Sequence, residues 1–134
     1  MMEKSELLRT ADGASLAYLG DCVIELWVRR RLLLSGLTGT GALNEAARRF
    51  VTAKNQCAAF HRIEGLLTEE EQAYFRRGRN SPHLSVPRSA SGAEYRTASG
   101  FETLCAALYL DGREARLDEL LTIAFAEEKA EQSF

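Results

Sequence analysis

Apolar residues recur along this chain at the three- and four-residue spacings of amphipathic helices, and no segment alternates convincingly as a half-buried strand does. Proline occurs only at Pro82 and Pro87, so no proline interrupts the longer helical patterns. The pattern predicts an all-α fold of about six helices. They are expected at residues 3–9, 15–34, 43–64 and 69–80, then from after a loop at 81–92 to about 110, and over 113–131.

Local signals support the boundaries of these helices. Residues 35–41 read as a turn, and Gly65 is expected to end the third helix. Thr68 and Glu71 have the spacing of a capping box that opens the fourth helix. Asp111 and Gly112 form a plausible stop for the fifth.

The second predicted helix is apolar over most of its circumference, which is typical of a helix at the centre of a bundle or at a subunit contact. Its polar stripe is narrow and comprises Tyr18, Asp21, Glu25 and Arg29. The apolar side is expected to carry Leu16, Leu19, Val23, Leu26, Trp27 and Leu34.

Length and composition fit one globular domain over residues 1–134, with its core at about 15–121. The chain has 134 residues, of which 46% are hydrophobic and 27% charged, and this length can bury a real core. The formal net charge is only −2, but the charges are unevenly placed. Between Gln72 and Phe101 there are five arginines and one acid, so this part could bind a polyanion.

The three cysteines, Cys22, Cys57 and Cys105, form no metal-binding spacing, and each lies inside an apolar helical pattern. Free cysteine in such positions behaves as a small hydrophobe, which favours a reducing compartment. The first ten residues lack the apolar segment of a signal peptide, and no segment is apolar enough to span a membrane. A cytoplasmic location is therefore expected, with no membrane partner.

Two acids, 81 positions apart, stand in otherwise apolar helical stretches: Asp21 and Glu102. Neither has a Lys or Arg at the spacings where a helical ion pair forms. Because burying an unpaired carboxylate is costly, such groups usually meet a cation, a metal or each other. Two carboxylates sharing a divalent cation is one explanation, and partial exposure at a helix edge is the other. Glu25 lies one turn after Asp21 but also one turn before Arg29, and the ion pair with Arg29 is favoured.

A basic segment near the middle of the chain suits phosphate, since a guanidinium fork matches phosphate oxygens in geometry. Its competing interpretation is a solvated helix end, where arginine also complements the helix dipole. The candidate RNA-binding residues are Lys54, Arg76, Arg77, Arg79, Asn80, His83, Arg88 and Arg96. His61 has no evident catalytic partner in the sequence.

Two blocks of the sequence resemble the ribonuclease III catalytic domain. Residues 16–26, LAYLGDCVIEL, carry a counterpart of that family's Leu-Gly-Asp-Ala-Val signature, and GFETLCAALYLDG at 100–112 matches its second block. The segments FVTAKNQ at 50–56, RRGRN at 76–80 and YRTASGFE at 95–102 resemble the Mini-ribonuclease III branch, which lacks an appended double-stranded-RNA-binding domain.

The resemblance implies an all-helical homodimer that cuts double-stranded RNA with Mg²⁺, for which Mn²⁺ can substitute. Asp21 and Glu102 match the signature aspartate and the metal-binding glutamate, and they are expected to be the catalytic and metal-binding residues. The branch is associated with trimming the ends of precursor 23S ribosomal RNA in bacteria, with possible assistance from a ribosomal protein.

The chain departs from full-length ribonuclease III at two positions that are acidic in that enzyme. Here Ala17 and Ser99 occupy them, which fits the Mini branch but leaves fewer metal ligands. The alternative function is a catalytically inactive RNA-binding or scaffolding module with the same fold. A helical protein-interaction adaptor, suggested by the apolar second helix, is a third possibility.

Overall fold

The computed structural model describes residues 1–82, 84 and 91–126, and these form seven α-helices, a short 3₁₀ turn and no strands. The predicted all-α fold is therefore confirmed. The helices are α1 (Lys4–Thr10), α2 (Gly13–Leu34), α3 (Thr40–Val51), α4 (Ala53–Ile63), α5 (Glu69–Arg79), α6 (Gly92–Leu110) and α7 (Glu114–Ala124), with the 3₁₀ turn at Glu64–Leu66.

Side-chain caps determine where several helices begin. Asp12 accepts a hydrogen bond from the Ser15 backbone N–H at 2.8 Å, so α2 starts two residues before its predicted position. The predicted capping box is confirmed: Thr68 and Glu71 each bond the other's backbone N–H. Gly112 follows the end of α6 with φ +71°, a left-handed conformation that glycine adopts without strain.

The prediction of one continuous helix over 43–64 is wrong. Thr52 has extended backbone angles (φ −69°, ψ 150°), and its hydroxyl accepts from the Asn55 N–H at 3.2 Å. It ends α3 and caps α4, so the chain turns there, and this additional break raises the helix count from six to seven. The single helix predicted over 113–131 is also wrong, because α7 ends at Ala124 and Phe125 is its C-cap with non-helical backbone angles (φ −105°, ψ 22°). Residues beyond 126 lie outside the described part of the chain.

Helix α6 is the centre of the molecule. Ten of its nineteen residues are buried, and it packs against α2, α4 and α5. Aromatic side chains fill the space beside it: Phe60 stacks on Phe75 with ring centroids 3.9 Å apart, and Phe125 lies 6.0 Å from Phe101. Because α6 is enclosed on several sides, any polar side chain on it must be hydrogen-bonded, paired or aimed at a cleft.

The predicted apolar face of α2 is partly wrong. Leu16 is buried as expected, but Leu26 and Leu34 are 67% and 75% exposed. Val23 is also buried as expected, and the buried side further carries Gly20, Ile24, Val28 and Leu32. Cys22 is also exposed, so its interpretation as a core residue is wrong, whereas Cys105 is buried as predicted. None of the described helices is both long and apolar enough to cross a membrane.

A buried ion pair joins α7 to the start of α5. Glu71, whose side chain is fully buried, accepts two hydrogen bonds of 2.9 Å from Arg116. Arg116 also donates to the Leu66 carbonyl and to Glu119. The Arg116 hydrogen bonds lower the pKa of Glu71 from its usual 4.5, outweighing the opposing effect of burial.

We expect this pair to make the protein acid-labile. Because the folded-state pKa of Glu71 is depressed, its stabilising contribution is present above pH 4.5 and is lost as pH falls through the folded value. Glu71→Gln should lower the free energy of unfolding at neutral pH by roughly 3 kcal/mol, since it leaves Arg116 partly buried without its main partner. Urea denaturation above and below pH 4.5 measures both effects. Glu119→Gln removes an exposed partner of the same arginine and should have little effect; equal losses in the two variants would contradict the assignment.

A candidate active site where two helices cross

The two acids singled out in the sequence meet where α2 crosses α6. Asp21 is exposed on α2, and Glu102 is partly buried on α6. Their side chains are hydrogen-bonded to each other. Glu102, 81 positions away in the chain, is thus a direct neighbour of Asp21, because α2 and α6 pack against each other.

Gly20 makes this close approach possible. A Cβ atom at this position would overlap the carbonyl group of Glu102 and lie 2.9 Å from its Cα atom. The backbone of α2 therefore lies directly against the backbone of α6, next to Asp21 on one helix and at Glu102 itself on the other. The missing side chain at Gly20 thus admits the backbone of α6 at this point.

Further glycines form a second close contact on the other side of α6, with α5. A Cβ atom on Gly100 would lie 2.6 Å from the Phe75 ring, and one on Gly78 would overlap the Thr103 side chain. The Thr103 hydroxyl lies 2.9 Å from two carbonyl oxygens, those of Gly13 and Ser99, and it can donate to either. The α6 segment that carries Glu102 is therefore held between α2 and α5, with little freedom to shift.

Electrostatics at this crossing disfavour two negative charges. Burial, and then the charge of Asp21 and the hydrogen bond to it, raise the pKa of Glu102 to about 9. Near neutral pH, Glu102 thus stays protonated, and its O–H donates a hydrogen bond to the Asp21 carboxylate. Among the described residues, no Lys or Arg pairs with either acid, and Glu25, the nearest further acid along α2, is bonded to Arg29 at 2.7 Å as expected.

The chemistry of this donor set fits a hard divalent cation. The two carboxyl groups are in contact, and burial together with the charge of Asp21 disfavours ionisation of Glu102. A divalent cation bound between them would offset the repulsion of two carboxylates and the cost of burying a charge. Within the described part of the chain, no third His, Cys, Asp or Glu joins them. Ala17 and Ser99, at the family's further acidic positions, are buried and supply no carboxylate. Water and substrate oxygens would complete the coordination of an ion held here.

The candidate RNA-binding residues differ in their exposure and in their contacts within the protein. Arg76, Arg79, Asn80, Arg96 and Lys54 are exposed. Arg76 and Asn80 line a cleft that α5 forms with the start of α2. Arg79 lies over the Phe75 ring at 5.6 Å and donates to the Asn80 side chain at 3.2 Å.

Arg77 differs from these residues because the structure gives it an internal partner. It is partly buried, its guanidinium donates to the Leu8 carbonyl, and it lies 5.7 Å from the Tyr74 ring. Arg77 therefore links α1 to α5, and its guanidinium is less accessible to RNA than those of the exposed arginines. His83 and Arg88 lie outside the described residues.

Sequence reasoning missed the supporting residues of this site. Thr103 and Gly78 attracted no notice, although the glycine in RRGRN was a usable signal, because a glycine inside a helix often marks close packing. Nothing in the local sequence indicates which carbonyl groups the Thr103 hydroxyl meets, since Gly13 is 90 positions away.

Comparisons with known proteins show the family of this chain. The model of the Ribonuclease III domain matches residues 14–113. Mini-ribonuclease 3 of Symbiobacterium thermophilum is 46% identical over 115 residues, covering 86% of this chain and 88% of that protein. Mini-ribonuclease 3 of Brevibacillus brevis is 38% identical over 128 residues, covering 93% and 96%.

A solved structure gives the same result at the level of the fold. A crystal structure of a Fusobacterium nucleatum protein superposes with a TM-score of 0.81 at 30% sequence identity, covering 91% of this chain and 98% of that one. Members of the ribonuclease III family generally depend on a divalent metal, in keeping with the paired carboxylates. The chain belongs to the ribonuclease III domain family, in its Mini-ribonuclease III branch, and is a hydrolase of the double-strand-specific endoribonuclease type.

Proposed function

We propose that this protein is a Mg²⁺-dependent endoribonuclease that cleaves double-stranded RNA and matures the ends of precursor 23S ribosomal RNA in the bacterial cytoplasm, with Mn²⁺ able to replace Mg²⁺. The observation that carries the proposal is the contact between Asp21 and Glu102, two carboxylates without a described basic partner. A duplex incubated with the purified protein in Mg²⁺, and in parallel with EDTA, tests it. Cleavage that appears only with the metal is expected.

In this proposal Asp21 and Glu102 are the catalytic and metal-binding residues. Both would present oxygen atoms to the cation, and Glu102 would release its proton as the cation binds. A divalent cation supplies charge neutralisation at phosphorus and makes a bound water a stronger nucleophile. The contact between the backbones at Gly20 fixes the relation between the two side chains, so the site needs little rearrangement before it binds a phosphodiester.

The exposed basic residues near the end of α5 would hold the RNA backbone. A duplex is recognised mainly by its phosphates, its 2′-hydroxyl groups and its shape. Arg76, Arg79 and Asn80 lie on one helix end beside a cleft, which allows several contacts along one strand. Lys54 and Arg96 are proposed as further contacts from α4 and α6.

Arg76→Ala and Arg79→Ala should each weaken duplex binding and reduce the slope of log affinity against log salt by about one unit, because fewer counterions are released. Fluorescence anisotropy of a labelled duplex over a salt series measures this slope. Arg48→Ala, which removes an exposed arginine bonded to Glu45 on α3, is the matched control. An unchanged slope in both test variants would remove these residues from the RNA contact.

We also propose that the protein acts as a homodimer. Tyr18, Cys22, Leu26 and Leu33 form a stripe along one side of α2, and all four are exposed. A second copy of the chain would cover this stripe, which runs close to Asp21, and so could bring two sites into one particle. The resemblance to dimeric ribonuclease III supports the same arrangement.

Sedimentation equilibrium at micromolar concentration tests the dimer. The native protein should sediment at twice the monomer mass, and Leu26→Glu should sediment as a monomer because it places a charge within the stripe. Leu34→Glu is the matched control, since Leu34 is as exposed but lies on another side of α2. A monomeric native protein, or a dimer unaffected by Leu26→Glu, would contradict the proposal.

The proposed substrate, precursor 23S ribosomal RNA, can be tested in cells. Mapping RNA ends in cells that carry either the native protein or Asp21→Asn should show unprocessed 23S ribosomal RNA ends only with the variant. Adding ribosomal proteins to purified precursor tests whether one of them assists cleavage. Normal ends with the variant would exclude this substrate while leaving duplex cleavage in vitro intact.

An inactive RNA-binding or scaffolding module is the second candidate. Its support is that Ala17 and Ser99 supply no further carboxylates, which leaves two acids where full-length enzymes have four. Such a module would bind a duplex without cutting it at any Mg²⁺ concentration, so the incubation described above separates the two candidates.

A further inference from the structure

Three polar side chains follow one another along one side of α4 and the turn after it, away from the site described above. The Cys57 sulfur lies 3.6 Å from His61 Nε2, and His61 Nδ1 lies 3.2 Å from Glu64 Oε1. The residues are four and then three positions apart, so each is one helical turn from the next. His61 has no evident catalytic partner in the sequence and Cys57 was expected to behave as a small hydrophobe, but the structure groups both with Glu64.

Glu64 lies where it can accept a hydrogen bond from Nδ1–H of the His61 ring. With Nδ1–H donating to the Glu64 carboxylate, the neutral ring presents the lone pair of Nε2 toward the Cys57 sulfur. A carboxylate behind an imidazole is the usual support of a metal-binding histidine, because it fixes the ring orientation and makes the free nitrogen more basic. His61 is thus prepared to accept either the thiol proton or a cation at the same place.

We propose that Cys57 and His61 form a chelating site for a soft divalent cation of the Zn²⁺ type. Bond lengths of about 2.3 Å to sulfur and 2.0–2.1 Å to nitrogen in a tetrahedral site imply a sulfur–nitrogen separation of about 3.5 Å. The distance of 3.6 Å between Sγ and Nε2 matches this separation. Glu64 holds the ring from behind without being a ligand.

Binding exchanges a proton for the cation and involves no electron transfer. The Cys57 thiol gives its proton to solvent, a sulfur–metal bond forms in place of the S–H···N contact, and Nε2 donates its lone pair. Water fills the other positions, since no third His, Cys, Asp or Glu joins the pair among the described residues. Without metal, burial raises the pKa of Cys57, which keeps the thiol protonated and argues against a nucleophilic role.

This site is independent of the proposed nuclease function and differs from it in ligand chemistry. Sulfur and imidazole nitrogen prefer Zn²⁺ or Co²⁺, whereas the Asp21–Glu102 pair offers only oxygen. An excess of Mg²⁺ can therefore saturate the acid pair while the Cys57–His61 pair stays available. The two sites can be examined separately in the same intact protein.

Titration with Co²⁺ in excess Mg²⁺ tests the proposal directly. A thiolate-to-cobalt charge-transfer absorption should rise to one equivalent per chain and disappear in Cys57→Ser and in His61→Gln. Cys22→Ser is the matched control, because Cys22 is an exposed thiol on α2, and it should behave as the native protein does. Glu64→Gln should weaken Co²⁺ binding by about 10- to 100-fold, the usual effect of removing a residue that supports a ligand.

Thermal unfolding gives a second readout that does not use absorption. Zn²⁺ should raise the melting temperature of the native protein and of Cys22→Ser, but not of Cys57→Ser, since a ligand that binds only the folded state stabilises it. Circular dichroism of each variant without metal checks that its helices form. The proposal is overturned if no charge-transfer band appears in the native protein, or if the band survives in Cys57→Ser or depends on Cys22.

Discussion

Asp21→Asn and Glu102→Gln will each abolish cleavage of double-stranded RNA while leaving folding and duplex binding largely intact. The two side chains are hydrogen-bonded, and each substitution removes one of the only two carboxyl groups that would hold the cation. Losing several kcal/mol of transition-state stabilisation corresponds to a rate reduction of roughly 10³-fold or more. The effect should appear in single-turnover cleavage at matched Mg²⁺.

Glu25→Gln is the matched control for this prediction. Glu25 lies one turn from Asp21 on the same helix, but it is bonded to Arg29. Its replacement should leave the cleavage rate within a few-fold of native. Turnover retained in Asp21→Asn or Glu102→Gln, or lost equally in Glu25→Gln, would refute the assigned roles.

The stability of Glu102→Gln separates lost chemistry from lost folding. The folded-state pKa of Glu102 is raised from 4.5 to about 9, so the unfolded chain ionises more readily and folding stability falls as pH rises between these values. Gln cannot ionise and avoids this penalty. Without divalent cations, the variant should therefore be more stable at neutral pH by roughly 1–3 kcal/mol in urea denaturation.

Gly20→Ala should have the second largest effect. The added methyl group would overlap the Glu102 carbonyl, and a backbone atom cannot rotate away as a flexible side chain can. The α2 and α6 helices must then move apart. We expect a loss of roughly 3 kcal/mol in the free energy of unfolding and a large loss of cleavage, because the two carboxylates would separate.

Gly41→Ala is the control for this substitution. Gly41 lies in α3 with a φ in the helical range and no atom near the position of an added Cβ. That variant should be as stable as the native protein or slightly more so. Urea denaturation and single-turnover cleavage of both variants measure the difference. A Gly20→Ala protein with native stability and activity would show that the close contact is unimportant.

Much of the fold follows from local sequence chemistry. The Thr68–Glu71 capping box and the Asp111–Gly112 stop are short-range signals, and both helix boundaries were predicted from them. The break at Thr52 was missed because apolar spacing continues through it. A threonine inside such a pattern can either extend a helix or cap a new one, and the sequence does not distinguish the two.

In the candidate site, too, some features were predictable from the local sequence, whereas others depend on tertiary packing. Asp21 and Glu102 were identifiable because an acid in an apolar helix is unusual, but only tertiary packing brings them together across 81 positions. Arg77 could not be distinguished from its neighbours, since its Leu8 partner lies 69 positions away. Leu26 was assigned to the core because a helix that is apolar nearly all round does not reveal which side is buried.

Calorimetric titration of Mg²⁺ into the RNA-free protein tests the shared-cation site most directly. We expect saturable binding to the native protein, accompanied by release of the Glu102 proton, and loss of that binding in both Asp21→Asn and Glu102→Gln. The double variant should bind no more weakly than either single one. Native Mg²⁺ binding in either single variant would contradict the account.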